Sequence, residues 1–580
     1  GTAEVPGFDA QYGTLSGPET EKLTFRTNRG PFAFDQGRGS DLKLTQYTLQ
    51  GTLEVAGWTI REGLRYRTSD LTRSALFPNT PEAASVRIAR DVARGASLGV
   101  TSGRLTYVNG GQAFDVTNQN GQGLVMDAAM RAQDITLDET INDLRFTRKF
   151  EIGSQSHDVA FGVYFARAEE TFFQAGSQVL IDVRDNARPL NLQGLNAQGV
   201  VVANFTENGF SRYGSQFNNA EGKSTTWALY AADEWQITDK LRVDFGARWE
   251  RIKLSGRNER SSTINLNQTT SFADDQAISG NGIFDPLDRK FDDWGATVAV
   301  NYQFNPDFGA YARYTKGFRL PSLGDFITNP TRTDPRSSTS DLYEAGVKLA
   351  RTNVSLYLTG FLTKFDSQSF GETRFNPATN AFESRTEFAS TETYGFELEG
   401  IVRPTEWFDA SFGVTVQDPH LGKFIFNERV AKVGGAAGTC PLATDTNPGP
   451  TSTDCLRPRD FTDHTLVRTP KVSLRVTPGV TLLEGRLRAE LDVQYYGKRF
   501  SDLANTLTIP DYWLLNAQVR YNVTDNVTIH GYATNLTNEI GLTEGNPRAG
   551  QFISGEAGSR YYLARPELGR TFKAAVLYRW

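Results

Sequence analysis

The chain has 580 residues, 38% hydrophobic and 12% aromatic, with 54 Gly and a net charge of −6. Two Cys, two Met and four scattered His are too few for a Cys/His metal cluster or a disulfide scaffold, and the acidic balance argues against nucleic acid as a partner. No stretch approaches the ~20 apolar residues of a spanning helix. The negative mean hydropathy suits a soluble chain, and equally a barrel whose strands turn half their residues to a polar lumen.

The first residues, GTAEVP, carry no basic n-region and no apolar h-region. The expectation is that a leader has been removed or that the chain begins inside a longer protein. Residues 1–40 mix Gly, Pro, Asn and charge in irregular order and read as a loop region. Alternation then begins. Tyr47, Leu49, Gly51, Leu53 and Val55 share one face, against Gln46, Thr48, Gln50, Thr52 and Glu54. After a tight Ala56-Gly57 turn, Trp58, Ile60, Leu64 and Tyr66 oppose Thr59, Arg61, Arg65 and Arg67. Residues 80–95 read as a helix within a long loop, with Thr80 as cap, Pro81 at the first helical position and Gly95 at the end.

The same alternation recurs downstream. Leu241, Val243, Phe245, Ala247 and Trp249 oppose Arg242, Asp244, Gly246, Arg248 and Glu250. Leu487, Ala489, Leu491, Val493 and Tyr495 oppose Arg488, Glu490, Asp492 and Gln494; Trp513, Leu515, Ala517, Val519 and Tyr521 oppose Asn516, Gln518 and Arg520. In the last strand Phe572, Ala574, Val576, Tyr578 and Trp580 form a wholly apolar face, opposite Thr571, Lys573, Ala575, Leu577 and Arg579. A soluble sandwich also alternates, but its strands average ~5–6 residues. These run to ten or more, as a tilted membrane strand must, and aromatics such as Trp58, Trp249, Trp513 and Trp580 sit at strand ends.

Short connections at 56–57, 153–156, 238–239, 305–307, 351–353, 404–405, 478–484 and 522–526 take turns with long ones. The long ones run near 70–135, 172–222, 256–287, 318–338, 369–389, 419–465, 500–506 and 538–564. Turns on one side and long loops on the other is the asymmetry of outer-membrane barrels. The expected fold is all-β: a transmembrane antiparallel barrel over 41–580 with about 17 strands. Closed bacterial barrels have even strand numbers. Seventeen strands that begin and end toward the turn side are strands six to twenty-two of a 22-stranded barrel, the size of the plugged transporters. Five strands and a plug are then expected upstream of Gly1.

Four stretches carry a family likeness: YARYTKGFRLPS at 311–322, DLYEAGVK at 341–348, TYGFELEG at 393–400 and NLTNE at 535–539. In this order they resemble TonB-dependent outer-membrane receptors, and FDAQYGTL at 8–15 has the look of an extracellular loop of the same family. The resemblance implies an integral outer-membrane protein taking up a scarce solute such as a ferric siderophore, cobalamin, haem or an oligosaccharide. The implied partners are outer-membrane lipid, a plug-containing polypeptide completing the barrel, and the TonB complex acting through that plug. It implies no cofactor, no metal and no catalytic residue. It also implies that Phe572, Tyr578 and Trp580 serve as the barrel-assembly signal.

The inward residues Arg242, Asp244, Arg248, Glu397, Glu399, Arg488, Glu490 and Asp492 read as lumen-facing. They would guide an anionic solute or, more plainly, hydrogen-bond a plug or lumen water. Phe210, Tyr213 and Phe217, taken as loop residues, and Arg319 are the ligand-contact candidates; loop aromatics equally pack on each other. Cys440 and Cys455 sit in the 419–465 loop, facing an oxidising exterior, and are expected to be bonded. Two other readings stand beside the receptor: a passive porin-type channel and a secreted β-rich glycan binder or hydrolase. No phosphate-binding Gly-rich loop and no Gly-x-Ser-x-Gly elbow occurs.

Overall fold

A computed structural model describes residues 6–9, 11–79, 81–117, 123–328, 336–376, 381–435, 437–449, 452–546 and 563–580. One antiparallel wall dominates it. In chain order its long strands are β1 (Ser40–Val55), β2 (Trp58–Pro78), β3 (Leu124–Ile152), β4 (Gln155–Asp182), β5 (Phe210–Thr238) and β6 (Leu241–Ile264). There follow β7 (Ala277–Asn305), β8 (Phe308–Arg319), β9 (Ser338–Arg351), β10 (Val354–Asn376), β11 (Ala381–Val402) and β12 (Phe408–Leu421). The wall ends with β13 (Val472–Leu482), β14 (Leu487–Tyr496), β15 (Tyr512–Asn522), β16 (Val527–Thr534) and β17 (Thr571–Tyr578). Each pairs antiparallel with the next.

These segments become strands because apolar and polar residues alternate at the period of the pleat. The registers assemble the apolar residues into rows. Phe245, Val298, Tyr314, Tyr343, Leu362 and Tyr394 are successive partners across β6 to β11. On this face Trp227, Leu229, Trp294, Phe396 and Trp513 are exposed. Large apolar side chains exposed in continuous rows need an apolar medium. The opposite face carries Arg242, Asp244, Arg248, Glu397, Arg488 and Glu490.

At one end the connections are tight. Ala56 and Gly57, at φ 50° and 79°, make the two-residue turn between β1 and β2; both must be left-handed to follow the strand twist, which is what the glycine permits. The turn expected at 478–484 is shorter, because β13 continues to Leu482. Its ladder with β14 skips Pro478, which has no N–H, and resumes at Gly479 opposite Glu490.

At the other end the wall departs from the sequence reading. Segments 70–135 and 172–222 are not wholly loop: β3, β4, β5 and β7 run 28–29 residues, against the ~9–11 that cross a membrane. Their outer parts alternate poorly, because both faces are covered. On the face continuous with the apolar rows, Ala128, Met130 and Val179 pack with Phe25 and Phe34. Those two rings belong to a hairpin, Lys22–Thr27 with Gly30–Asp35, in the region read as loop. On the other face, Val125 and Leu180 pack with Leu105, Leu192 and Phe205.

The helix, α1, spans Ala84–Arg94. It begins later than the expected Thr80 cap, because Glu82 and Ala83 are held as a short strand against Val125 and Leu124; Gly95 does end it. Thr80 lies outside the described residues.

In cyclic order β17 is followed by β1. Among the described residues, however, no register joins them. All 16 residues of β1 and all 8 of β17 are exposed. The wall has a seam.

Candidate ligand path

The polar face is built by strand parity, and it holds the sequence-predicted lumen residues together. Arg242 reaches Asp244 at 2.9 Å and Arg248 reaches Glu250 at 2.6 Å. Arg488 donates to Asp409 at 2.7 Å and to Glu490 at 2.8 Å, and Arg475 donates to Asp492 at 2.7 Å. Glu397 and Glu399 share this face, opposite Thr359 and Tyr357. The Arg242 and Arg475 pairs are open enough to water to contribute little to stability, whereas those of Arg488 are half-buried; together they give a wall with fixed charges of both signs.

One part of that wall is concave. A recess of about 920 Å³ is lined by Asp143, Arg145, Tyr164, Tyr230, Arg248 and Arg319, among others. Tyr230 donates its hydroxyl to Asp143 at 2.9 Å, and the Arg248 guanidinium lies 5.2 Å from the Tyr164 ring centre. Arginines and tyrosine rings side by side bind planar or anionic groups by hydrogen bonding and stacking. Arg248, which reads as lumen-facing from the sequence, and Arg319, a ligand-contact candidate there, both line this recess. Tyr164, Tyr230 and Arg145 are not among the candidates read from the sequence, although Tyr230 follows the polar parity of its strand.

Two inserts narrow the mouth above the recess. A short helix, α2 (Gly324–Ile327), tucks Phe326 and Ile327, with Leu323, against Phe172, Leu254 and Leu287. These wall positions are in register with the polar face below. The second insert is α1 with a small sheet of Ser102–Tyr107, Leu190–Leu195 and Val201–Asn204. It is pinned by Arg87, 6% exposed, which donates to Asp91 at 2.7 Å and to Asp127. Burial opposes the charge on Arg87, but Asp127 and Asp91 outweigh it and hold the guanidinium protonated.

The aromatic ligand candidates do not lie in this mouth. Phe210 and Tyr213 are 2% exposed, meet with tilted rings at 4.9 Å, and belong to the core around Phe25 and Phe34. Tyr213 also donates to Glu207 at 3.2 Å. Phe217 lies opposite Ala175, on the same side, beneath Arg29 at 5.4 Å. They are strand residues of an outer core, because β5 reaches far beyond the assumed loop boundary. Arg319 does reach the recess and stays free enough to act there, 3.8 Å from Asp325 with its side chain 75% exposed.

Cys440 and Cys455 are bonded. The bridge ties the stretch before it to a hairpin of Ile425–Ala431 and Asp454–Asp460. Beside it Arg457 donates to Asp445 through two nitrogens, at 2.9 and 3.0 Å, and holds that carboxyl below its ordinary range.

The family described as TonB dependent receptor-like, beta-barrel, matches residues 3–536. The chain belongs to this family. Among solved structures, the ferric-catecholate import receptor Fiu from K12 E. coli, in its closed form, is similar at 16% identity with a TM-score of 0.60, over 93% of this chain and 64% of that one. The siderophore receptor PiuA from Acinetobacter baumannii is similar at 15% identity with a TM-score of 0.57, over 99% of this chain and 68% of that one. The chain therefore spans about two thirds of their length. TonB-dependent receptor barrels are transporters of the outer membrane, not enzymes. The apolar rows and the charged rows are the two faces of this barrel wall, and the tight turns lie together at one end of it. Phe572, Tyr578 and Trp580 stand on the apolar side of β17 or just past its end, each more than half exposed.

Proposed function

We propose that this chain is the wall of an outer-membrane receptor for energy-coupled uptake of a scarce chelated solute, a ferric siderophore being the first choice. The observation that carries the reading is the Tyr/Arg recess on the lumen face, beneath a mouth narrowed by α1 and α2. An anionic chelate entering there meets Arg319, then Arg248 and Arg145, with Tyr164 and Tyr230 as stacking faces. The plug and the TonB complex complete the cycle: the plug closes the lumen, and the complex pulls on it. The barrel-assembly role of Phe572, Tyr578 and Trp580 belongs to the same proposal.

The test is uptake of a radiolabelled ferric catecholate by cells carrying the whole receptor, with and without a proton uncoupler. Uptake abolished by the uncoupler supports the reading. Uptake indifferent to it makes the protein a passive channel. Arg248→Ala should lower uptake on the order of tenfold, the worth of one charge-assisted hydrogen bond.

A further inference from the structure

Ionisable residues on the apolar face include Asp233, which is paired with His157, and Glu62, which stands in the middle of an apolar stretch. On β2 the lipid-side residues are Trp58, Ile60, Glu62, Leu64 and Tyr66, partners of Val55, Leu53, Gly51, Leu49 and Tyr47 on β1. Glu62 thus lies four residues from each of the two aromatics that bracket the strand's apolar stretch, at its centre. Its orientation is fixed independently. It accepts a hydrogen bond from the Asn142 amide on β3, and Leu144, its direct partner there, continues into Val163 and Leu229 on the same face. On the lumen face of the same strand Arg65 and Arg67 pair with Glu139 instead. Asn142 is the one hydrogen-bond partner of Glu62 among the described residues.

A carboxylate at mid-depth against lipid is costly unless further donors meet it. The surroundings show from which side a donor can come. Toward β3 stand Leu144 and Asn142. Toward β1 stands Gly51, where an added Cβ would meet nothing within 4 Å. Beyond Gly51 no strand among the described residues is in register with the outer edge of β1, and the residues of β1 are exposed. A strand added to that edge would lie two strand spacings, roughly 10 Å, from Glu62. A long side chain on it could cross to the carboxylate only where the intervening residue has no side chain, and Gly51 is that residue.

We propose that Glu62 is a recognition residue for the β-strand that pairs with the free edge of β1. That strand presents a long donor side chain (Lys, Arg or Gln) on its lipid face opposite Gly51, and the donor hydrogen-bonds Glu62 across the glycine. The occupant is a polypeptide strand, not lipid and not the same surface of a second copy. The proposal rests on the outer-membrane reading given above.

The test uses the whole receptor in outer membranes. Glu62→Leu removes a charge from lipid. If Glu62 faced lipid alone, the change would leave the barrel as stable or more so. If it holds the sealing strand, the heat-modifiable, sealed form should fall on the order of tenfold, the worth of a polar contact in the membrane. Glu62→Gln should keep most of it, and Gly51→Leu should reproduce the loss. A photo-crosslinker at position 49, the neighbouring residue on the same face of β1, should form an adduct with the sealing strand, and lose it in Glu62→Leu. Unchanged or raised stability of Glu62→Leu, or adducts to lipid or to a second copy only, overturns the proposal. Failure of the wild-type chain to partition into membranes overturns it together with the receptor reading, and is scored separately by carbonate extraction.

Discussion

Asp445 shows how single residues set the behaviour of the surface loops. Its side chain lies under Arg457 in the disulfide-closed loop. The guanidinium favours the carboxylate, so the folded pKa is depressed below the ordinary 3.8. A depressed acid contributes stability above its unfolded pKa and loses it as pH falls through the folded value. Protection from hydrogen exchange over residues 425–460, relative to the intrinsic rate at each pH, should therefore be high at neutral pH and fall on acidification below the ordinary aspartate range. Asp445→Asn should exchange faster at pH 7 and lose the pH dependence. The bridge acts on the same loop by restricting its open states. For a closed loop of this size the chain-entropy model gives roughly 3 kcal/mol, so Cys440→Ser with Cys455→Ser should raise exchange there by two orders of magnitude. The wall strands should be unaffected.

Elements differ in how much of them alternation reveals. Where a strand separates lipid from lumen, parity names its faces, and β17 gives a direct check. Val576 pairs with Ile529 on the lipid side, and Leu577 pairs with Thr528 on the lumen side. Val576→Arg should cost ~2–4 kcal/mol if it lies near mid-membrane, and Leu577→Arg should be mild. Equal recovery of both variants in membrane-insertion assays would refute the facing. Above the membrane the same strands are covered on both sides, so Ala128 and Val125, near one another in sequence, serve two separate cores. No period of two survives there, which is why the outer parts of β3 and β5, up to 135 and 222, read as loop and why Phe210 and Tyr213 read as loop residues. The helix start was lost for a similar reason: Thr80-Pro81 looks like a cap, but pairing of Glu82 and Ala83 with β3 outcompetes it. The Arg87–Asp91 pair is an i,i+4 contact of the expected helix, but the contact of Arg87 with Asp127 could not be foreseen, since nothing local brings α1 to β3. Breaking them by Arg87→Met strands buried carboxylates and should cost about 3–5 kcal/mol locally. Proteolysis within 84–107 at unchanged barrel stability is the measurement.

At the scale of the molecule the seam decides what this chain can do by itself. Every unpaired N–H or C=O in hydrocarbon costs several kcal/mol, and β1 and β17 each offer an edge of them. An open wall in lipid is excluded on that ground, so something pairs with both edges. Continuation of the same antiparallel order by further strands satisfies each edge without disturbing any existing register. Closure of β17 directly on β1 would instead make a barrel of an odd number of strands. Two adjacent strands that both run toward the turns would have to pair parallel, unlike every other pair in the wall. Receptor purified natively should therefore yield, on a denaturing gel, either one chain longer than these 580 residues or this chain with a companion. We expect the added mass to be roughly 20–30 kDa, reckoned as a plug and five strands at the usual membrane strand length. Cysteines at Leu49 and Val576 give the opposing outcome. If they crosslink in a preparation containing these residues alone, the wall closes on itself and the lumen is a channel without a plug.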